Sequence, residues 1–362
     1  MAIWKIDELG EFVTLKRGYD LPQQKRKNGE IPIFSSSGVT GTHNEAMVEA
    51  PGVITGRYGT IGEVFFAETS FWPLNTTLYV ENFHENDEKF VYYFLKTLEW
   101  KKFASASAVP GINRNTVHKE IVRFPDFETQ QKIASVLSTI DKKIAVNKAI
   151  NDNLEQQAAA LFSSLYNRSN TEVRYTDLIQ LLGGGTPKTG ETAYWNGNIA
   201  FFTPKDVGTP YTFITEKTIT EEGLSHCNSR LYPVNTVFVT ARGTVGKVGL
   251  SGVPMAMNQS CYALVGKETH QLLVYFYTLK AVDRLKHKAS GAVFDAITTR
   301  DFDSEQIMKL SDDDARAFLC VAEPMFQDIL NNSIENLRLS TLRDFLLPKL
   351  MSGEIDVSSV QL

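Results

Sequence analysis

One heptad-like pattern occurs twice in this chain, 185 residues apart, and it limits the possible folds more than any other feature. Its eight positions step alternately by four and three residues, which is the period at which two helices pack along a continuous seam. Six of the eight residues are identical in the two copies. These are Ile144, Asn147, Asn151, Leu154, Leu161 and Leu165 in the first copy and Ile329, Asn332, Asn336, Leu339, Leu346 and Leu350 in the second.

Both copies carry asparagine at the same two seam positions. A polar residue in a helix seam costs stability but fixes register and partner orientation. We therefore predict that the two helices pair with each other, antiparallel, and that Leu154 and Leu339 lie in a continuous interhelical core. The alternative is two separate amphipathic helices, each lying on its own domain with its asparagines at a solvated edge.

The chain divides into four segments, at residues 1–127, 128–166, 167–310 and 311–362. The first and third are rich in short strand-like runs with Gly and Pro between them, and each contains one late helix. The second is helical from a predicted N-cap at Thr129, and the fourth opens on an acidic cap beginning at Ser311. Pro324 is expected to break or kink the last helix. The sequence thus predicts an α+β protein, with two strand-rich domains joined by two long helices that form an intramolecular antiparallel coiled coil.

The repetition extends into the strand-rich segments. Residues 54–64 resemble residues 239–248 with one residue deleted, and residues 75–79 match residues 258–262. The offset between the copies grows from 168 to 185, which places about 17 additional residues in the second copy, between Val207 and Arg242. This pattern is typical of one scaffold that presents two different recognition surfaces.

Composition restricts the class of protein without identifying a partner. The 362 residues have room for two or three domains, and the net charge of -5 is mildly unfavourable for a lone DNA-binding domain. The three cysteines are irregularly spaced, which argues against a disulfide framework and a zinc site. The chain shows no signal peptide and no run of 18 apolar residues, so we expect a cytoplasmic protein that makes no contact with a membrane.

Basic residues cluster locally in both strand-rich segments despite the acidic balance. Any one basic run is more often a solvated face than a binding site. The presence of such runs in both segments nevertheless favours DNA binding. The Arg57 and Arg242 loops have two open interpretations, either hairpin turns that need glycine or phosphate contacts. The candidate DNA-binding residues are Lys16, Arg17, Ser35, Ser36, Arg57, Arg114, Lys188, Lys205, Arg242 and Arg300.

Motifs for catalysis are absent from the sequence. Residues 185–192 imitate a phosphate-binding loop, but Glu191 stands where the phosphate-binding lysine should be and no helix begins after it. We find no adenine-methylation motif, dinucleotide fingerprint, nucleophile elbow or histidine-rich metal spacing. The sequence therefore predicts no catalytic, cofactor-binding or metal-binding residues in this chain.

Several ordered stretches carry a resemblance to a known family. They are Val109-Pro110-Gly111-Ile112-Asn113-Arg114, followed by Phe124-Pro125 and Gln130-Gln131-Lys132-Ile133-Ala134; Gly184-Gly185-Thr186-Pro187 with Tyr194-Trp195-Asn196-Gly197; and Leu347-Pro348-Lys349-Leu350-Met351-Ser352-Gly353. In this order, and doubled, they resemble the specificity subunit of Type I restriction-modification systems over nearly the whole chain.

The resemblance implies a non-catalytic DNA reader. Residues 1–127 and 167–310 would be target recognition domains, each reading one half of a bipartite, asymmetric site in double-stranded DNA, while the paired helices set the gap. Methyltransferase subunits, expected to number two, would dock on the helices, and restriction and translocase subunits would join them. S-adenosylmethionine, ATP and Mg²⁺ would belong to those partners and not to this chain. Because residues 311–316 differ from residues 125–131, the two docking surfaces need not be equivalent.

Two other functions remain as alternatives. The first is a self-contained DNA methyltransferase or nuclease with two DNA-reading modules, which the missing cofactor and metal motifs disfavour. The second is a purely structural coiled-coil adaptor, which the two large strand-rich segments disfavour. An assay of the purified chain for methyl transfer and cleavage distinguishes the first from a specificity subunit.

Overall fold

A computed structural model describes residues 3–105, 110–208, 210–288 and 296–360. The chain forms two compact units: the first contains residues 1–145 and 336–362, and the second contains residues 146–335. Each unit therefore includes part of both long helices. Val109, which opens the stretch ending at Arg114, lies outside the described residues.

The first half of the chain, through the first long helix, alternates short strands with short helices. A 3₁₀ turn at residues 23–25 and another at residues 100–103 accompany them. The elements are β1 (Trp4–Glu8), α1 (Leu9–Phe12), β2 (Thr14–Arg17), β3 (Ile31–Ser35), β4 (Gly38–His43), β5 (Gly52–Gly56), β6 (Val64–Ala67), β7 (Trp72–Pro73), β8 (Thr77–Asn82), α2 (Glu88–Lys96), α3 (Arg114–His118), β9 (Ile121–Pro125) and α4 (Phe127–Arg168).

The second half repeats this alternation with additional elements. A 3₁₀ turn covers residues 192–194. The elements are β10 (Thr171–Arg174), α5 (Tyr175–Leu178), β11 (Ile179–Gly183), β12 (Trp195–Phe202), β13 (Tyr211–Thr212), β14 (Lys217–Ile219), α6 (Glu221–Ser225), β15 (Val237–Thr240), β16 (Val248–Ser251), β17 (Met255–Met257), β18 (Cys261–Gly266), α7 (Gln271–Lys288), α8 (Thr299–Ser304), β19 (Gln306–Lys309) and α9 (Asp312–Ser352).

Strand order is the same in the two units. The main sheet runs β2-β8-β5-β6 in the first and β11-β18-β15-β16 in the second, where β13 extends it. A three-stranded sheet accompanies each, β4-β3-β7 and β14-β12-β17, with one antiparallel and one parallel pairing in both. The insertion predicted after Val207 contains β13 and α6. The common scaffold expected from the sequence is therefore present, with additions in the second unit.

Helix α4 begins earlier than the sequence predicts. Asp126, and not Thr129, is the N-cap, because its Oδ1 accepts a hydrogen bond from the Thr129 amide at 3.0 Å. Its Oδ2 accepts another from the Ile3 amide at 2.7 Å, which attaches the start of the chain to the helix. Partial burial raises the pKa of Asp126, but these two amide bonds outweigh it and the net shift is downward.

The start and end of α9 agree with the sequence pattern. The Ser311 hydroxyl accepts a bond from the Asp314 amide at 3.1 Å, as an N-cap does. The helix ends before Gly353, whose φ of +77° is the left-handed conformation of a helix C-terminus. Pro324 does not break the helix, since α9 is continuous from Asp312 to Ser352, and the alternative of a kink stays a prediction. Pro324 and Cys320 are both exposed, so water can reach the carbonyl group that the proline leaves unbonded.

Parts of α4 and α9 pair antiparallel within each unit. In the second unit, Asn332 donates to the Asn151 side chain at 2.9 Å, while further along α4 the Arg168 guanidinium lies 2.8 Å from Asp314. Residues later in α4 thus contact residues earlier in α9, as in an antiparallel pair. In the first unit, Arg343 of α9 lies 2.8 Å from Asp141 of α4. This arrangement confirms the predicted antiparallel coiled coil.

The interhelical core lies partly beside the predicted seam. Ile144, Asn147, Asn151, Leu165, Ile329 and Leu350 are buried, and Leu154, Leu161, Asn332, Asn336, Leu339 and Leu346 are partly buried. The expectation that Leu154 and Leu339 lie in a continuous core is therefore too strong. In the second unit the fully buried helix positions include the seam residues Asn147 and Ile329 as well as Ala158, Phe162, Phe318 and Ala322, and the Phe276 ring of α7 packs on Phe162 and Phe318.

Candidate nucleic-acid interface

Four of the predicted DNA-binding residues meet in the first unit. Lys16, Arg17, Arg57 and Arg114 line one cleft of about 350 Å³, together with Leu78 and Asn113. They come from three separate parts of the chain, namely β2, the turn between β5 and β6, and the first residue of α3. Such convergence of cations suits an anionic ligand such as a DNA phosphate.

Helix α3 is held against β2 by a histidine. The Leu15 amide donates to Nε2 of His118 at 2.9 Å, so the last residue of α3 is fixed next to Lys16 and Arg17. Burial lowers the pKa of His118, and the charges of Arg114 and His84 lower it further. The imidazole is therefore neutral near pH 7 and can accept this bond.

The Arg57 turn is attached to the segment that precedes α3. The Arg57 Nε donates to the Ile112 carbonyl at 3.1 Å, and the Ile112 amide donates back to the Arg57 carbonyl at 3.1 Å. Gly111 lies against the Tyr58 ring, where a Cβ atom would come within 2.1 Å of a ring carbon. Gly59 has a φ of +75°, as expected for a hairpin turn. The structural interpretation of this loop is therefore supported, and no hydrogen bond from the other two guanidinium nitrogens is present among the described residues.

Acidic neighbours neutralise this cleft only in part. Lys16 lies 2.5 Å from Glu81, and that hydrogen bond raises the pKa of the lysine. Arg17 lies 4.0 Å from Asp20, and both of these side chains are exposed. Arg114 is exposed and forms no ion pair within the described part of the chain. The cleft therefore retains net positive charge.

The two candidate serines lie at the junction of β3 and β4, Ser35 as the last residue of β3 and Ser36 in the tight turn. The Ser35 hydroxyl donates to the Gly38 carbonyl at 3.2 Å, which is a turn-stabilising contact. The Ser36 hydroxyl lies 3.3 Å from the place that a Cβ on Gly59 would occupy, so it borders the Arg57 turn. Ser36 therefore adjoins the basic cleft, whereas Ser35 serves its own turn.

The second unit does not gather its candidates in one described cleft. Lys188, Lys205, Arg242 and Arg300 are all exposed. Lys205 is 3.5 Å from Glu216, and Arg300 lies in α8. Arg242 occupies the β15–β16 turn, where Gly243 and Gly246 have φ values of +78° and +74°. Its turn repeats that of Arg57, but no side-chain bond from Arg242 to the backbone is present among the described residues.

Two contributors to the cleft were missed by sequence reasoning. Asn113 lines it and caps α3 by accepting a bond from the Asn115 amide at 3.0 Å. The Tyr58 ring lies 4.5 Å from the Arg57 guanidinium and supports it. Asn113 directly precedes Arg114 in the stretch that resembles the family junction, so its position was a usable signal. Tyr58 had no distinguishing signal, because an aromatic residue in a turn is common.

Neither a transmembrane helix nor a metal-binding cluster is found among the residues that the structure describes. No helix in them is both long and apolar enough to cross a bilayer. No group of three or more His, Cys, Asp or Glu side chains in them is placed to hold a metal ion.

Comparison with known proteins gives matches on both halves of the chain. The sequence model of the Type I restriction modification DNA specificity domain matches residues 1–156 and again residues 167–309. The HindI specificity subunit of Haemophilus influenzae, a Type I restriction enzyme subunit, is 25% identical over 345 residues, which cover 72% of this chain and 75% of that protein. The MjaIX specificity subunit of Methanocaldococcus jannaschii is 28% identical over 162 residues, which cover 43% of this chain and 37% of that protein.

A solved structure shares the fold. The S subunit of a Type I restriction-modification system from M. genitalium has a TM-score of 0.66 and 17% sequence identity, with 96% of each chain covered. At this identity the likeness concerns the arrangement of the backbone.

Proposed function

The chain belongs to the Type I restriction modification DNA specificity domain family, and we infer that it is the non-catalytic subunit by which a Type I restriction-modification complex recognises DNA. The observation that carries this inference is the pair of family matches, one on each strand-rich half of the chain. The repeated strand order supports it, because two copies of one scaffold suit a DNA site in two parts. We assign target recognition to residues 1–127 and 167–310.

The basic cleft of the first unit is our proposed phosphate contact. Phosphate contacts fix a protein's position on the duplex, while base contacts in the grooves provide sequence specificity. Arg57 and Arg114 approach the cleft from elements that are bonded to each other through Ile112, so the backbone positions of these two residues are held close together. A preorganised pair of cations binds a phosphate without first ordering a loop.

The partner subunits follow from membership of the family. We propose that two methyltransferase subunits dock on the helix pair, that restriction and translocase subunits join them, and that S-adenosylmethionine, ATP and Mg²⁺ bind to these partners. A chain that acts on cellular DNA in this way works in the cytoplasm. The different starts of α4 and α9, capped by Asp126 and Ser311 respectively, give the two docking surfaces different chemistry.

Methylation mapping tests the proposal directly. Deletion of this chain should abolish methylation at one bipartite, asymmetric sequence in the organism's DNA, and its return should restore that sequence. As a control, the purified chain with S-adenosylmethionine should transfer no methyl group and cleave no DNA until the methyltransferase subunits are added. Methyl transfer or cleavage by the chain alone would instead support the self-contained enzyme.

We further propose that the helix pair sets the gap between the two recognised sequences. The 28 residues from Leu137 to Leu165 correspond to about 42 Å of helix, comparable with one turn of B-DNA at roughly 34–36 Å. Seven residues inserted in each helix preserve the heptad pattern and add about 10 Å, equivalent to about three base pairs.

The pairing in the second unit indicates where those insertions belong. Insertions between Asn151 and Leu154 and between Asn336 and Leu339 also lengthen both helices, but they separate Asn151 from its partner Asn332. The second insertion should therefore lie between Ile329 and Asn332. Binding to a series of duplexes with different gaps should then favour a gap about three base pairs longer, with both recognised sequences unchanged. An unchanged preferred gap would contradict the proposal.

A further inference from the structure

The basic run at the end of α7 contains one cation that its neighbours do not neutralise. Arg284 and Lys288 both contact Glu305, which is fully buried, and the Arg284 Nε lies 2.7 Å from its carboxylate. His287 lies 3.7 Å from Asp283. Arg284 and Lys288 thus form ion pairs within the unit, and the His287 contact is an ion pair only when the imidazole is protonated. Lys286 is exposed, and no ion pair involves it over the described ranges.

Lys286 lies on the Arg242 turn. Its Cε is 2.5 Å and its Nζ 3.4 Å from the place that a Cβ on Gly246 would occupy. Gly246 has a φ of +74°, and its amide donates to the Thr240 carbonyl at 2.8 Å, so this part of the turn is fixed in place. The aliphatic part of Lys286 therefore packs over the turn, while its amino group lies at the edge of the turn.

In the first unit an aromatic side chain occupies the corresponding place. Gly62, in the matching turn, faces the Trp100 side chain, whose Cβ lies 2.9 Å from the position of a glycine Cβ. That unit instead carries Lys16 and Arg17 at the end of β2. The second unit lacks those cations, because Gly183 pairs with Tyr262 as Lys16 pairs with Tyr79. In the second unit, positive charge is thus absent from β11, the strand that corresponds to β2, and is present on α7.

We propose that Lys286, together with Arg242, binds a backbone phosphate of DNA in the second unit. The inference rests on the proposed DNA-recognition function and adds a residue to it. The Arg242 turn supplies one exposed cation and the neighbouring helix supplies a second, Lys286, and neither forms an ion pair within the described ranges. A contact of this kind stabilises the complex equally at every sequence and depends strongly on salt.

The test measures affinity against salt for the full chain on a duplex that contains the mapped methylation site. Lys286→Ala should make the slope of log affinity against log salt shallower by about 0.9. The ratio of wild-type to variant affinity should therefore be roughly 3.5-fold smaller at 200 mM salt than at 50 mM salt. Lys286→Arg should retain the wild-type slope. The matched control is Lys267→Ala, which also removes one charge but whose Nζ donates to the Thr176 carbonyl at 2.8 Å.

The outcomes separate this inference from the function on which it rests. If Lys286→Ala keeps the wild-type salt slope while Arg242→Ala has a shallower one, the role of Lys286 is overturned. The proposed DNA recognition would not be affected by that result. An equal decrease of the salt slope in Lys267→Ala would show that any lost positive charge has this effect. That result would also overturn the role of Lys286. If the wild-type chain fails to bind the mapped duplex, alone or with its methyltransferase subunits, the proposed function itself is wrong.

Discussion

The two units build the same strand order but place polar and charged groups on different elements. In the first unit, Asp141 of α4 and Arg343 of α9 form an ion pair at 2.8 Å, and the Tyr93 hydroxyl donates to Asp141 at 2.6 Å. At the repeat-related positions, the second unit has Phe326 and Ala158, both buried. One scaffold is therefore stabilised by a half-buried polar cluster in one copy and by an aromatic cluster in the other.

The same contrast applies to the DNA-binding surfaces that we propose for the two units. In the first unit the cations converge on a cleft between β2, the Arg57 turn and α3. In the second unit glycines replace the cations of β2, and the Arg242 turn meets a lysine from α7. The scaffold thus keeps the turn and changes the elements around it, so the proposed phosphate contacts of the two units come from different elements.

The largest difference should appear when the two clusters are disrupted. Phe326→Ala removes a buried ring that contacts Tyr211, Tyr275 and Phe276, and it should destabilise the second unit by about 3–5 kcal/mol. Asp141→Ala should cost the first unit only about 1–3 kcal/mol, because that cluster is partly solvated. Hydrogen exchange read by mass spectrometry reports each unit separately. Equal losses of protection would contradict the contrast.

A smaller effect is expected at the asparagine pair in the second unit. Asn151→Ala removes the acceptor of Asn332 and the donor to Ser333, at a cost of about 1–3 kcal/mol. Replacing both asparagines by leucine should recover most of this stability while weakening the specification of register. Urea unfolding measures both variants, with Thr341→Ala on the exposed side of α9 as control. A double variant less stable than either single one would show that the asparagines are needed for stability itself.

Arg57 and Arg114 should separate binding from stability within the first unit. Arg114→Ala should lower the salt slope of DNA binding by about 0.9 without changing thermal stability, since the side chain is exposed and without an ion pair in the described residues. Arg57→Ala should lower both, because its Nε also holds the Ile112 carbonyl. Binding isotherms at several salt concentrations and thermal melts provide the comparison. If the two variants had the same salt slope and the same thermal stability, the structural role assigned to Arg57 would be wrong.

The smallest effect concerns pH and is confined to the first unit. His118 accepts the Leu15 amide only when neutral, and burial lowers its pKa below the ordinary 6.5. Its contribution is therefore complete above about pH 6.5 and is lost as the pH falls through the lowered pKa. Protection of the Leu15 amide from exchange should decrease over that range, while α8 of the second unit, which contains no histidine, should not respond. A flat pH profile at Leu15 would contradict this.

Periodic and repeated features could be predicted from the sequence, whereas contacts between distant residues could not. The seam spacing predicted two long antiparallel helices, and the doubled Arg57 and Arg242 stretches predicted two equivalent turns. Pro324 does not break α9, because the effect of a proline depends on whether the helix exposes that position. Thr129 was misjudged as the N-cap because Asp126 accepts the Thr129 amide and also binds the Ile3 amide. The role proposed for Lys286 was not predictable from the sequence. It depends on Glu305, distant in the chain, which pairs with Arg284 and Lys288 and not with Lys286.

The central claim is that each half of the chain recognises its own half of the DNA site, and a domain exchange tests it most directly. Residues 1–127 would be replaced by the corresponding residues of another family member, and methylated sites would be mapped genome-wide in cells that contain the methyltransferase subunits. We predict that one half of the methylated sequence changes, while the other half and the gap stay the same. A change in both halves, or in neither, would contradict the account.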